Sequence, residues 1–143
     1  MASEGGIRVS ALPDRLRLLD EEGARGVLLG WRCRRCDEHF FGDVFLCRSC
    51  SDRDLEAVEL GARGTLYSYT IVRVPPPGWK GEVPYALGQV ELPKGPHVLC
   101  RVVDCPPERL RVGMALELTT EVATEDEEGT QSLVYAWRPA GGG

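Results

Sequence analysis

Residues 31–50 read WRCRRCDEHFFGDVFLCRSC, and four of the six cysteines in the chain fall in them as two tight pairs, Cys33/Cys36 and Cys47/Cys50. C-x2-C, ten residues, C-x2-C is the spacing at which two short turns present four thiolates to one tetrahedral metal ion, with nearby backbone N–H groups donating to the sulfurs. A thioredoxin-like redox site needs one such pair opening a helix after a strand; here the strand-like HFFGDVFL separates two matched pairs, which argues for ligation. Structural zinc is the expected ion. The same knuckles would also hold iron, and redox or disulfide use stays open at this point. With four thiolates the tetrahedron is full, so His39 is expected as a surface or loop residue and the metal as a folding element rather than a catalyst. Trp31, Phe40, Phe41, Val44, Phe45 and Leu46 are expected to form the ribbon's small apolar face.

Outward from this ribbon the 143-residue chain has room for one compact domain or two very small ones. Lys plus Arg number 17 against 22 for Asp plus Glu, a net charge of −5, where a dedicated duplex-DNA binder would be basic. The sequence carries no run of 18 apolar residues and no leader pattern at MASEGGIRVS, so a cytoplasmic protein without membrane contact is expected. Residues 1–11 are expected to be loose. In LPDRLRLLDEEGARG, Leu12, Leu16 and Leu19 share one helical face, Pro13 suits a first turn and Gly23 or Gly26 a stop, so the spacing predicts a short amphipathic helix.

Beyond the ribbon, runs at 65–74, 84–92, 97–103, 114–122 and 131–137 are rich in Val, Leu, Tyr and Thr and bounded by Gly and Pro. Five such runs predict a small antiparallel barrel of the oligonucleotide/oligosaccharide-binding (OB) type, with an SH3-like barrel as the rival. CPPERLRVG is expected to cross the barrel end and stop at Gly113, and TEDEEG to be a solvated hairpin tip. The fold expected is therefore mainly β, divided as 1–28 with the helix, 29–56 zinc ribbon, 57–138 OB barrel and 139–143 flexible tail. Cys100 and Cys105 read as structural.

The chain from the leucine segment through both cysteine pairs to GARGTLYSYTIVRVPPP, PYALGQVEL and LRVGMALEL resembles, over residues 12–138, a family that joins a rubredoxin-like zinc ribbon to an OB-fold barrel. These proteins accompany thiolase-like enzymes acting on acyl-CoA thioesters and carry a domain of unknown function of the thirty-five type. Asp37 and Ser51 depart from the family's usual knuckles, where glycine is common. The resemblance implies a non-catalytic accessory subunit in a hetero-oligomer with a thiolase-like or aldolase-like enzyme, forming or cleaving a C–C bond. It leaves open the acyl-CoA pathway, whether aromatic degradation, steroid side-chain degradation or isoprenoid precursor synthesis. If the partner or acyl-CoA touches this chain, the loop after the first run is the expected place: Arg73 and Lys80 for phosphates, Pro76 and its neighbours for stiffness, Trp79 and Tyr85 as flat surfaces.

Two other functional classes fit the sequence less well. A single-stranded nucleic-acid binder needs aromatics interleaved with bases on an open sheet; Tyr67, Tyr69 and Arg73 alternate along the first run, but the acidic ends count against it. An enzyme acting alone would have only His39 and His97 as imidazole bases, neither beside a nucleophile.

Overall fold

Alternation of apolar and polar residues, broken by glycine and proline turns, gives ten strands in the computed structural model, which describes residues 7–42, 44–79 and 81–142. The strands are β1 (Arg8–Ser10), β2 (Leu16–Leu18), β3 (Gly26–Cys33), β4 (His39–Phe41), β5 (Leu55–Gly61), β6 (Arg63–Val72), β7 (Tyr85–Glu91), β8 (His97–Val102), β9 (Ala115–Glu125) and β10 (Gln131–Pro139). Among the described residues no helix is long and apolar enough to cross a membrane.

β3 organises the first sheet. Leu28–Cys33 pair antiparallel with β5, and the opposite edge is shared by β2, against Gly26–Leu28, and β4, against Gly30–Arg32. This sheet carries the cysteine knuckles at its ends, between β3 and β4 and before β5. β6 to β10 close the second sheet into a barrel in the order β9-β6-β7-β8-β10-β9, with β8 and β10 the parallel pair. That is the five-stranded OB barrel expected from the runs. CPPERLRVG crosses as a 3₁₀ turn at Pro107–Arg109, with Leu110 buried beneath it and Gly113 at φ 96°. The TEDEEG tip is a solvated loop in which the Asp126 carboxylate accepts from the Glu128 and Thr130 amides, both at 2.9 Å.

The two sheets share one core. Leu16, Leu28 and Leu60 from the ribbon side lie in the same buried cluster as Leu66, Val90, Leu116, Leu118 and Trp137 of the barrel. Phe41 meets Tyr135 edge-on at 5.6 Å, and the Leu118 N–H donates to Ala62 C=O at 2.8 Å. Each fully buried leucine contributes about 1.5–3 kcal/mol, so several such contacts are expected to couple the ribbon and barrel into one cooperative body.

Two expectations fail at the N-terminus. The segment LPDRLRLLDEEGARG, expected as an amphipathic helix ending at Gly23 or Gly26, instead supplies the first arm and turn of a β-hairpin: after one turn in which Leu16 N–H donates to Leu12 C=O, Leu16–Leu18 pair antiparallel with β3. LRL satisfies both periodicities, with Leu16 buried, Arg17 exposed and Leu18 half-buried, and the β3 edge supplies backbone partners that an isolated short helix would lack. The hairpin turn requires Gly23, at φ 73°, where a Cβ would stand 2.3 Å from the Leu133 side chain. The leucine stripe divides, since Leu12 and Leu19 stay exposed. Nor are residues 1–11 loose throughout, because Arg8–Ser10 add parallel to β10 at Gln131–Leu133; residues 1–6, and Gly143 of the expected flexible tail, lie outside the described residues.

Candidate metal centre and docking groove

The two knuckles are built alike. Asp37 N–H donates to Cys33 C=O and Ser51 N–H to Cys47 C=O, while Cys33 and Cys47 N–H groups return to the Glu38 and Asp52 carbonyls, all at 2.8 Å. This turn places the residue after each second cysteine in the left-handed region, Asp37 at φ 70° and Ser51 at φ 67°. Those are the two positions where glycine was the family's usual residue. Asp37 is held there by the Arg32 guanidinium, which bridges it to Glu56 of β5 and keeps its carboxyl below the usual range. Among the described residues no side chain anchors Ser51 in this way, so Ser51→Gly should stabilise the metal-loaded protein by about 0.5–1 kcal/mol, relief of left-handed strain less the unfolded-state entropy of glycine. Thermal melts of the two proteins side by side check this; a fall in melting temperature would count against the strain.

The four sulfurs of Cys33, Cys36, Cys47 and Cys50 lie within 4.8 Å of one another. Cys33 and Cys50 Sγ are 3.6 Å apart and Cys36 and Cys47 Sγ 3.4 Å, against about 3.8 Å for sulfurs at tetrahedral zinc–thiolate distance. The Ser49 and Cys50 N–H groups both donate to Cys47 Sγ at 3.4 Å. Burial pushes the Cys47 thiol up, yet these two amides and the neighbouring sulfurs outweigh it and bring it down to about 7. At Cys36 the Glu38 amide pulls the other way but loses to the Cys47 sulfur and burial, and the thiol is pushed up to about 12. The cluster thus fits a structural metal ion, and a cation of charge two is what would let all four sulfurs ionise together. Around it the basic R-C-R-R-C knuckle faces the acidic segment after the second pair, Arg34 against Asp54 and Arg35 against Asp52, each at 3.6 Å. Phe45, expected on the ribbon's apolar face, instead stands 89% exposed beside the second knuckle.

On the barrel, the loop between β6 and β7 folds back over the sheet. Trp79 N–H closes a turn onto Pro76 C=O at 3.1 Å, and the indole stacks on Tyr85 with ring centroids 4.6 Å apart. Arg101 completes the stack, its guanidinium 5.4 Å from the Trp79 ring and 5.6 Å from that of Tyr85. Its charge is already matched by Glu121 at 3.0 Å, so Arg101 is committed within the chain. Of the expected contact residues the fold brings Trp79 and Tyr85 together, Arg73 and Pro76 are exposed on the same loop, and Lys80 lies outside the described residues.

Beside the stack runs a groove of about 840 Å³, lined by Leu87 of β7, Leu99 and Cys100 of β8, and the paired residues Glu121 of β9 and Val134 of β10, with Tyr135 and Leu12. Burial, and then Glu121, push the Cys100 thiol up, so it is a neutral wall rather than a nucleophile. Sequence reading missed Leu99, Glu121 and Val134 as groove residues. Its one available signal was the outward position of a leucine in HVLCRVV, where Leu99 is 62% exposed.

The alternation on which a single-stranded nucleic-acid face would rest is interrupted, although Tyr67 and Tyr69 are both exposed. β6 bulges between Leu66 and Ser68, an extra residue that breaks the alternation. Tyr67 therefore faces outward and stacks on His97 at 4.6 Å, while Tyr69 falls in register with Gly88 on the opposite face.

Residues 57–121 match the family model of the C-terminal OB-fold domain of ChsH2. A DUF35 domain-containing scaffold protein of Pyrococcus furiosus is 34% identical over 113 residues, 78% of this chain and 82% of that protein. Its counterpart in Methanocaldococcus jannaschii is 30% identical over 117 residues, 80% and 83% of the two chains. The benzoylsuccinyl-CoA thiolase subunit BbsA of Thauera aromatica is 28% identical over 117 residues, 82% of this chain and 79% of that protein. Among solved structures, a chain of the Ltp2–ChsH2(DUF35) aldolase superposes with a TM-score of 0.66 at 30% identity, covering 80% of this chain and 85% of that one. A ribbon with paired cysteine knuckles sharing its core with an OB barrel, and this identity across most of both chains, place the protein in one group: it belongs to the DUF35 family.

Proposed function

We propose that this chain is the non-catalytic scaffold subunit of a thiolase-type or aldolase-type enzyme acting on acyl-CoA thioesters, with a zinc ion held by Cys33, Cys36, Cys47 and Cys50 as its folding element. The observation that carries the reading is the 30% identity and common fold over 85% of a chain found in an aldolase assembly, supported by scaffold proteins and thiolase subunits among the relatives. The chain's own chemistry agrees: its tightest cluster of reactive side chains is the four-sulfur site, whose saturated coordination offers no position for substrate, and the Arg101–Glu121 pair is neutralised in place.

The face we assign to docking is the β6–β7 loop with its Trp79–Tyr85–Arg101 stack, an aromatic and arginine surface of the kind that dominates binding energy at protein interfaces. Arg73 and Pro76, exposed on the same loop, and Lys80 are the residues we propose for contact with the partner or with the CoA moiety at the subunit boundary. The cytoplasm is the proposed compartment.

Affinity purification of the chain from native extract, followed by mass spectrometry, tests the reading. A stoichiometric thiolase-like or aldolase-like subunit is the expected result, and RNA or ribosomal components in its place would defeat it. Trp79→Ala should then weaken the complex by about 2 kcal/mol, the loss of an interface anchor, with the melting temperature of the isolated chain little changed. Titration calorimetry with the purified partner reads this directly, and an unchanged affinity would remove Trp79 from the docking face.

A further inference from the structure

β8 is paired with β7 along its whole length on one side, His97–Val102 against Glu91–Ala86, yet it meets β10 on the other side only at Val102↔Trp137. Two bonds fix which of its backbone groups point where. Leu92 N–H donates to Pro96 C=O at 2.9 Å, and Val103 N–H to Trp137 C=O at 2.7 Å. Because successive residues of a strand direct their N–H and C=O groups to alternate sides, Val98, Cys100 and Val102 bond to β7 while Leu99 and Arg101 point into the seam between β8 and β10. Among the described residues no strand lies opposite the Leu99 N–H and C=O or the Arg101 N–H. Across the seam, Leu133 C=O accepts from Ala11 N–H at 2.8 Å and Trp137 C=O is taken by Val103. Tyr135 between them is flanked by β1 and β8 but paired with neither.

The groove lies over this seam. Leu99 and Arg101 of β8 and Val134 and Tyr135 of β10 are among its lining residues, together with Leu12 and the β9 residues Glu121–Thr124. A small apolar molecule would fill the volume but bury the unpaired backbone groups, at about 1–3 kcal/mol each. An occupant suited to these walls brings its own donors and acceptors at the repeat of a β-strand, which only a polypeptide does. Arg101 is already neutralised by Glu121, and the remaining walls carry no other charge and are mostly apolar, with Thr124 and Tyr135 the polar exceptions, so the occupant's inward side chains are uncharged and mainly apolar.

We infer that the seam between β8 and β10 receives an extended, apolar segment of the partner enzyme subunit, which adds to β8 as a strand through the backbone of Leu99 and Arg101. This rests on the scaffold reading above and names the kind of contact it makes. The side chain of Leu99 packs against the added strand, and the β6–β7 loop with Trp79 borders the entry.

The test uses the native complex with the co-purified enzyme subunit. Leu99→Pro deletes an N–H that faces the seam and leaves the β7 ladder its donors, whereas Leu99→Val keeps the backbone. Leu99→Pro should weaken the complex at least about tenfold, the loss of one strand bond and the proline clash, and Leu99→Val far less, with zinc content unchanged in both. Amide hydrogen exchange on the wild-type complex gives a second readout that does not depend on the proline variant folding: Leu99 and Arg101 amides should slow on complex formation, while Val98 and Cys100, already bonded to β7, should not. A complex that forms with Leu99 and Arg101 exchanging as in the free chain overturns the strand addition and leaves the scaffold reading intact. If the wild-type chain pairs with no thiolase-like or aldolase-like subunit, both fall.

Discussion

Removing the metal, by chelation or by Cys47→Ser, is expected to unfold the whole protein in one transition instead of melting the ribbon alone. Cys33 and Cys47 are fully buried, and the ribbon has few other means of holding its two knuckles together. A structural zinc site contributes about 10–16 kcal/mol to folding, as much as the entire stability of a typical domain, about 5–15 kcal/mol. The consequence reaches the barrel because Leu16, Leu28 and Leu60 belong to the same buried cluster as Leu118 and Trp137. Releasing the ribbon would expose that side of the barrel core to water. Calorimetry should show one transition for the zinc-loaded chain and its loss after chelation. Two separate transitions, with the barrel's unaffected, would show that the halves are independent. Acid should act in the same direction: with Cys36 pushed up to about 12 and Cys47 brought down only to about 7, protons compete with the metal for these sulfurs, and zinc is released as the pH falls.

The second large effect is expected at Trp137, which is completely buried on β10 and pairs with Leu118 on one side and Val102 on the other. Trp137→Ala removes the largest side chain of the core and should cost about 3–5 kcal/mol, enough to bring a domain of ordinary stability close to unfolding. Trp137→Phe should behave differently. The Trp137 Nε1–H is buried without a hydrogen-bond partner among the described residues, a defect worth about 1–3 kcal/mol that phenylalanine removes while keeping most of the ring packing. Its net cost should therefore be below about 1.5 kcal/mol. Denaturant unfolding of the three proteins measures both differences. A Phe variant as unstable as the Ala variant would mean that the indole N–H is bonded and fixes the ring.

Features set by short-range chemistry were legible in the sequence. The C-x2-C spacing encodes two turns, and each turn needs only its own backbone bonds to aim its sulfurs; even Asp37 and Ser51, noted as departures from glycine, prove to be the left-handed residues of those turns. The five barrel strands appeared within a few residues of their bounds, since a two-residue alternation between core and water is written locally. Where the pattern was degenerate, reading failed. LRL fits a helix and a strand equally, and the choice was made by an edge of β3 that no local window contains. Tyr67 and Tyr69 seemed to share a face until a bulge at Leu66–Ser68 separated them.

The sequence by itself determined the four-cysteine cluster, the mainly-β class and the order of ribbon and barrel, because each depends on residues near one another in the chain. Tertiary structure decided the rest. It joined the two modules through one core, committed Arg101 to Glu121 and the Trp79–Tyr85 stack, and let β8 meet β10 only at Val102 and Trp137. These outcomes turn on which strand edge meets which, and side chains dozens of residues apart acquire partners only when barrel closure sets their distance.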